Sequence, residues 1–116
     1  KPWQEKLAMA LAPLRSRLNS GVRPHMFEII VSCSGLSDSI GRAAVADIEE
    51  EFLERPWHQD VHCWWADGLL MLRARNNYDE NGEALADEFS DAVCACTPIV
   101  AEISIRVVSV RKTTGQ

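Results

Sequence analysis

Two residues, Asp67-Gly68, constrain this chain more than any others. They separate the runs DVHCWWA and LLMLRARN, residues 60–66 and 69–76, both made of residues that suit a pleated strand. A two-residue hairpin turn needs positive φ at its centre, and Asp-Gly adopts it at little cost. The two runs are therefore expected to lie side by side and antiparallel. With that hairpin in place, the rest of the chain must pair its edges and cover its apolar face.

Upstream, MFEIIVSCS alternates so that Phe27, Ile29, Val31 and Cys33 share one face of a strand. Ser34 to Ser39 reads as a small polar turn in which Ser37 or Asp38 caps the next helix. Ile40, Ala44, Val45, Ile48 and Phe52 form the buried stripe of that helix, and Pro56 stops it. Arg42, Asp47, Glu50, Glu51 and Glu54 fall on its solvated face. After the hairpin, NNYDENGE reads as a loop, and Leu85, Phe89, Ala92, Val93 and Cys96 mark a second helix that ends at Thr97-Pro98. EISIRVVSVRK supplies the last strand, with Ile103, Ile105 and Val107 alternating with Ser104, Arg106 and Val108. Ahead of all this, Trp3, Leu7, Leu11, Leu14 and Leu18 predict an amphipathic helical segment over residues 1–20, kinked or broken near Ala12 by Pro13.

The predicted order is a leading helix followed by βαββαβ, an α+β arrangement. It resembles the ferredoxin-like sandwich: a four-stranded antiparallel sheet with two helices on one face. The resemblance lies in element order and covers residues 25–112. It implies the strand order 4-1-3-2 through right-handed crossovers. A chain of 116 residues, 47% hydrophobic, suits a single domain with one core. The loop arginine and hairpin asparagine of acylphosphatases and the first-loop CxxC of metallochaperones are missing, as are the central-strand aromatics of RNA-recognition modules. Amino-acid-sensing ACT domains are similar in length and order, with Ser34-Gly35-Leu36-Ser37 standing where their Asp-x-x-Gly would.

The formal charge of -5 disfavours nucleic acid as a partner, because phosphate contacts need a basic footprint. No apolar run approaches the roughly 20 residues that span a bilayer, so no membrane association is expected. No cleavage-site pattern follows the opening segment, which reads as mature structure. The cysteines at 33, 63, 94 and 96 lack metal-knuckle spacing and read as reduced residues of a cytoplasmic protein. Neither a metal nor a cofactor is expected. His58, Asp60 and His62 would sit about 6.6 Å apart along an extended strand, too far to close on one ion. The serines of SCSGLSDSIGR suit helix capping better than a phosphate cradle, since Asp38 would repel an anion.

Alternation sends Met26, Glu28, Ile30, Ser32, His62, Trp64, Leu69, Met71, Arg73 and Arg75 to the face away from the helices, along with Ser104, Arg106, Val108 and Val110. Half of these residues are apolar. A patch of that size calls for a cover, either the N-terminal helix or a second subunit, and a homodimer is expected. On this face Glu28 is expected between Arg73 and Arg106. That grouping forms either a structural ion-pair cluster or a pocket in which one arginine grips a small anionic ligand. Trp64 and Met71 would form its apolar wall, and His62 its acid or base. The expected function is a non-enzymatic binding module that takes a protein partner or small anionic ligand on this face. The alternative is a small enzyme with His62 as general base and Arg73 and Arg106 as anion clamp.

Overall fold

The computed structural model describes residues 25–98 and 102–114. The helical segment expected over residues 1–20 lies outside them. The elements are β1 (His25–Ser34), α1 (Asp38–Phe52), β2 (Gln59–Ala66), β3 (Leu69–Asn76), α2 (Glu83–Cys96) and β4 (Ser104–Thr114). Every neighbouring pair of strands is antiparallel, and the sheet order is β2-β3-β1-β4. Between β2 and β3 the chain turns on Asp67 and Gly68, whose φ values of 54° and 77° are the pair of positive angles that fit the strand twist.

Local chemistry sets the helix ends. The Ser37 hydroxyl accepts the Ile40 N–H at 3.3 Å and starts α1. At α2 the boundary residue is Gly82, in the left-handed region at φ 80°. An added Cβ there would lie 2.8 Å from Val107, so glycine is required by packing as well as by conformation. The free amides of α2 are met from further upstream: the buried Asp79 carboxylate accepts from Ala84 N–H at 3.2 Å and Leu85 N–H at 2.9 Å. At the other end of α2, the Thr97 hydroxyl donates to the Val93 carbonyl at 2.7 Å.

One apolar cluster joins Ile29, Val31 and Cys33 of β1 to Cys63, Leu70, Leu72 and Ala74 of the hairpin, and all of these to residues of both helices. The two helices therefore share one face of the sheet. Ala44, Ile48 and Phe52 come from α1, and Leu85, Phe89, Ala92 and Val93 from α2. Each large side chain so buried is worth about 1.5–3 kcal/mol. Trp65 packs at the margin, where its indole N–H donates to Asp38 at 2.8 Å. Its ring occupies the space that a side chain at Gly41 would need, which places the hairpin against the first turns of α1.

A buried polar knot ties the end of α1, the start of β2 and the end of β3 to Glu88 within α2. His58 Nε2 meets Glu88 Oε1 at 3.1 Å, Arg55 Nε reaches the same oxygen at 3.2 Å, and Asn76 Nδ2 lies 3.3 Å from His58 Nδ1. Asn76 Oδ1 already accepts the N–H groups of Tyr78 and Asp79, so its amide nitrogen faces the histidine. His58 Nδ1 is thus an acceptor and Nε2–H the donor to Glu88. Burial, and then the neighbouring Glu88 and Asp79 carboxylates, push the Tyr78 phenol above its ordinary range. Burial likewise raises the thiols of Cys33 to about 11 and Cys63 to about 12.

Two bulges break the simple alternation. Ile30 pairs with Ser109 and Val31 with Val107, which leaves Val108 as an extra residue in β4. Beyond it the phase reverses: Val110, expected on the open face, packs against the core, and Arg111 takes its place outside. The second bulge lies between Gln59 and His62, where Asp60 has φ 52°. It carries His58 inward to the knot and Asp60 outward, so the run His58, Asp60, His62 never lies along one face.

Candidate functional site

Strand register arranges the face opposite the helices as rows of neighbours. Nearest the hairpin turn, Ala66 stands beside Leu69, and the next row holds Trp64, Met71, Ser32 and Arg106. Then come His62, Arg73, Ile30 and Ser109, followed by Gln59, Arg75, Glu28 and Arg111. The face is consequently divided. Toward the turn it is apolar, through Trp64, Leu69 and Met71; away from the turn it is charged.

The charged end holds a shallow depression lined by Glu28, Asp60, Val61, His62, Arg73 and Arg75. Two ion pairs border it. Arg75 meets Asp60 at 3.1 Å, and Arg111 meets Glu28 at 2.7 Å. The Arg75 guanidinium also reaches the Thr113 hydroxyl at 3.4 Å across β1. Arg73 differs in forming no ion pair among the described residues; its Nε, like that of Arg75, is buried without a hydrogen-bond partner. A buried donor without an acceptor costs about 1–3 kcal/mol, more for a charged group. With Glu28 and Asp60 each matched, Arg73 is the uncompensated charge of the depression.

His62 flanks Arg73 and stacks on Trp64, with ring centroids 5.2 Å apart and planes inclined by 19°. Its Nδ1 lies 3.2 Å from Glu49 Oε2 of α1. The same carboxylate oxygen accepts the Cys63 N–H at 2.8 Å, satisfying a backbone donor on the outer side of the edge strand β2.

Of the residues singled out from sequence, Glu28, His62 and Arg73 meet at the depression, while Trp64 and Met71 form the adjoining row. Arg106 stands apart on β4, opposite Ser32 and exposed, with all of β1 between it and Arg73. Glu28 does not lie between Arg73 and Arg106, as alternation implied; its carboxylate goes to Arg111, which the bulge at Val108 brought to this face. Arg75, Asp60 and Glu49 complete the surroundings, and strand alternation alone gave no reason to pair them with these neighbours.

Among the described residues no group of three or more histidine, cysteine, aspartate or glutamate side chains is arranged to hold a metal ion. No helix among them is long and apolar enough to cross a membrane. No family model, curated protein or solved structure matches the chain, and the chemistry of the site rests on its own residues.

Proposed function

We propose that the protein is a binding module that captures a small carboxylate- or phosphate-bearing ligand at Arg73 on the open sheet face. The observation that carries this reading is the Arg73 guanidinium, half-buried and without an ion pair among the described residues, beside charges that are already matched. A guanidinium so held is ready for the paired N–H···O contacts that planar oxyanions accept. The His62–Trp64 stack and Met71 offer the ligand's apolar part a wall next to it. Binding without turnover is favoured over the enzymatic alternative. Glu49 at Nδ1 would orient His62 without supplying a reacting group, and the side chains lining the depression supply no hydroxyl or thiol nucleophile.

The test is a thermal-shift series over simple carboxylates and phosphates, followed by calorimetric titration. An anion present at ten times its Kd stabilises by about 1.4 kcal/mol, a shift of several degrees for a domain of this size. Arg73→Leu should keep or raise the melting temperature and abolish that shift. The proposal falls if no anion moves the transition, or if the variant binds as well as the parent.

The same reading extends to architecture and assembly. We infer a ferredoxin-like sandwich, supported by the βαββαβ order with β1 and β3 at the centre of the sheet. Homodimerisation is supported by the apolar end of the open face, formed by Trp64, Leu69 and Met71, which a second copy would cover. Light scattering should then give twice the 13.0 kDa chain mass, and a monomer at micromolar concentration would remove the dimer. Cys33 and Cys63, packed as free thiols in the core, suit a reducing cytoplasmic setting.

A further inference from the structure

We propose that the outer edge of β4 is a docking strand for an extended acidic segment of another protein, which adds to the sheet beside it. The inference is independent of the anion site, because it rests on backbone and on a different strand. β4 runs for 11 residues at one border of the sheet, and its ladder to β1 uses only its inner side. Among the described residues no backbone bond outside that ladder involves Ser104–Thr114. A row of free N–H and C=O groups of this length is a template for strand addition.

The opposite border is less suited to the same event. β2 is broken by the bulge at Asp60, and Glu49 occupies the outward Cys63 N–H at 2.8 Å. Among the described residues no side chain is set against the β4 backbone in that way. At its middle it exposes Val107 (36%) and Val108 (55%), two of the three large hydrophobic residues most exposed among those described.

Charge selects the occupant. Ser104–Thr114 carries Arg106, Arg111 and Lys112 and no acid, in a chain whose formal net charge is -5. Arg111 is already paired with Glu28, so a second copy pairing β4 to β4 would gather the four remaining cations, Arg106 and Lys112 of each chain, into one ribbon, whereas a strand bearing glutamate or aspartate between apolar residues matches both these cations and the valines. Cations on an edge strand commonly guard against pairing with like edges. Here they reject self-pairing and leave an acidic strand admissible, so one device gives attraction and exclusion together.

The test uses the full chain and a labelled peptide of about seven residues alternating glutamate with valine or threonine, a typical strand length. Fluorescence anisotropy should show binding that weakens with added salt. The lysine counterpart of the peptide should bind roughly tenfold more weakly or worse, and the exposed-site variant Arg106→Glu/Lys112→Glu should reverse that preference. An acidic peptide with alternate backbone amides N-methylated should lose at least about tenfold, since it cannot form the ladder; this arm needs no protein variant. Hydrogen exchange should slow in β4 and not in β2. Equal binding of the methylated peptide, equal binding of the lysine peptide, or no binding of the acidic peptide would each overturn the proposal. So would protection of β4 amides by self-association in the absence of peptide.

Discussion

Replacing Glu88 by leucine removes the acceptor shared by Arg55 and His58, and the cost follows from how well each donor is otherwise served. Arg55 is partly compensated. It also donates to the Glu51 carbonyl at 2.9 Å and has the Glu51 carboxylate at 3.6 Å. His58 is not, because its side chain is fully buried and its other nitrogen already accepts from Asn76. Hydrogen bonds to a charged group are worth about 1.5–3 kcal/mol, and breaking a buried pair from one side costs about 3–5 kcal/mol. Arg55's second partner puts Glu88→Leu at the low end, near 3 kcal/mol. For a domain stable by about 5–15 kcal/mol that is a large fraction. With a urea m-value near 2 kcal/mol/M, the midpoint should fall by about 1.5 M, read from tryptophan fluorescence. Glu88→Gln keeps the volume and one oxygen, and should lose about half as much. Adding His58→Leu to Glu88→Leu removes the stranded donor and should recover part of the loss. A Glu88→Leu loss under about 1 kcal/mol, or strict additivity in the double variant, would refute the account of the knot.

Three other expectations are open to direct measurement. Glycine to alanine inside a helix normally stabilises by about 0.5–1 kcal/mol, but Gly41→Ala should destabilise by about 1–3 kcal/mol because the new methyl overlaps the Trp65 ring. In a Trp65→Leu background the sign should revert, and thermal melts that show Gly41→Ala stabilising in both backgrounds would remove that contact from the argument. At pH 8 a thiol reagent should modify exposed Cys94 rapidly and reach Cys33 and Cys63 only as fast as the chain opens. Their folded thiols ionise near 11 and 12, against an ordinary value of 9.0, so the folded state keeps protons that the unfolded state sheds above pH 9. Their contribution to stability is therefore complete below pH 9 and lost as pH rises toward 11 and 12; Cys33→Ala/Cys63→Ala should flatten that alkaline decline in urea midpoints.

Features encoded by local periodicity were legible in the sequence. The Asp67-Gly68 turn, the stripe Ala44, Ile48, Phe52 and the stripe Leu85, Phe89, Ala92, Val93 each follow from spacing within one element. Arg73, His62 and Trp64 were likewise assigned a common face by alternation, and register puts them in adjacent rows. What escaped depends on contacts between elements. No glycine or proline marks Val108 as an extra residue, so the phase change that delivers Arg111 to Glu28 left no local trace. Glu88 did leave one: it stands at the spacing of Leu85, Phe89 and Ala92, and a carboxylate inside an apolar stripe signals a buried partner. NNYDENGE reads only as a loop, and nothing in its pattern shows that Asn76 and Asp79 are buried there, where both spend their oxygens on backbone amides.

The Glu49 carboxylate that occupies the Cys63 amide has a bearing on stoichiometry. Sheets whose two borders are both open can join head to tail, one molecule's last strand to the next molecule's first, and such contacts propagate into fibres because nothing closes them. In this protein the β2 border is interrupted by the bulge at Asp60, and its outward Cys63 N–H is taken at 2.8 Å by a side chain from α1. A strand that adds at β4 therefore ends the series, giving a one-to-one complex and no lattice of chains. Losing that carboxylate, as in Glu49→Ala, would free the second border and turn a terminating contact into a repeating one.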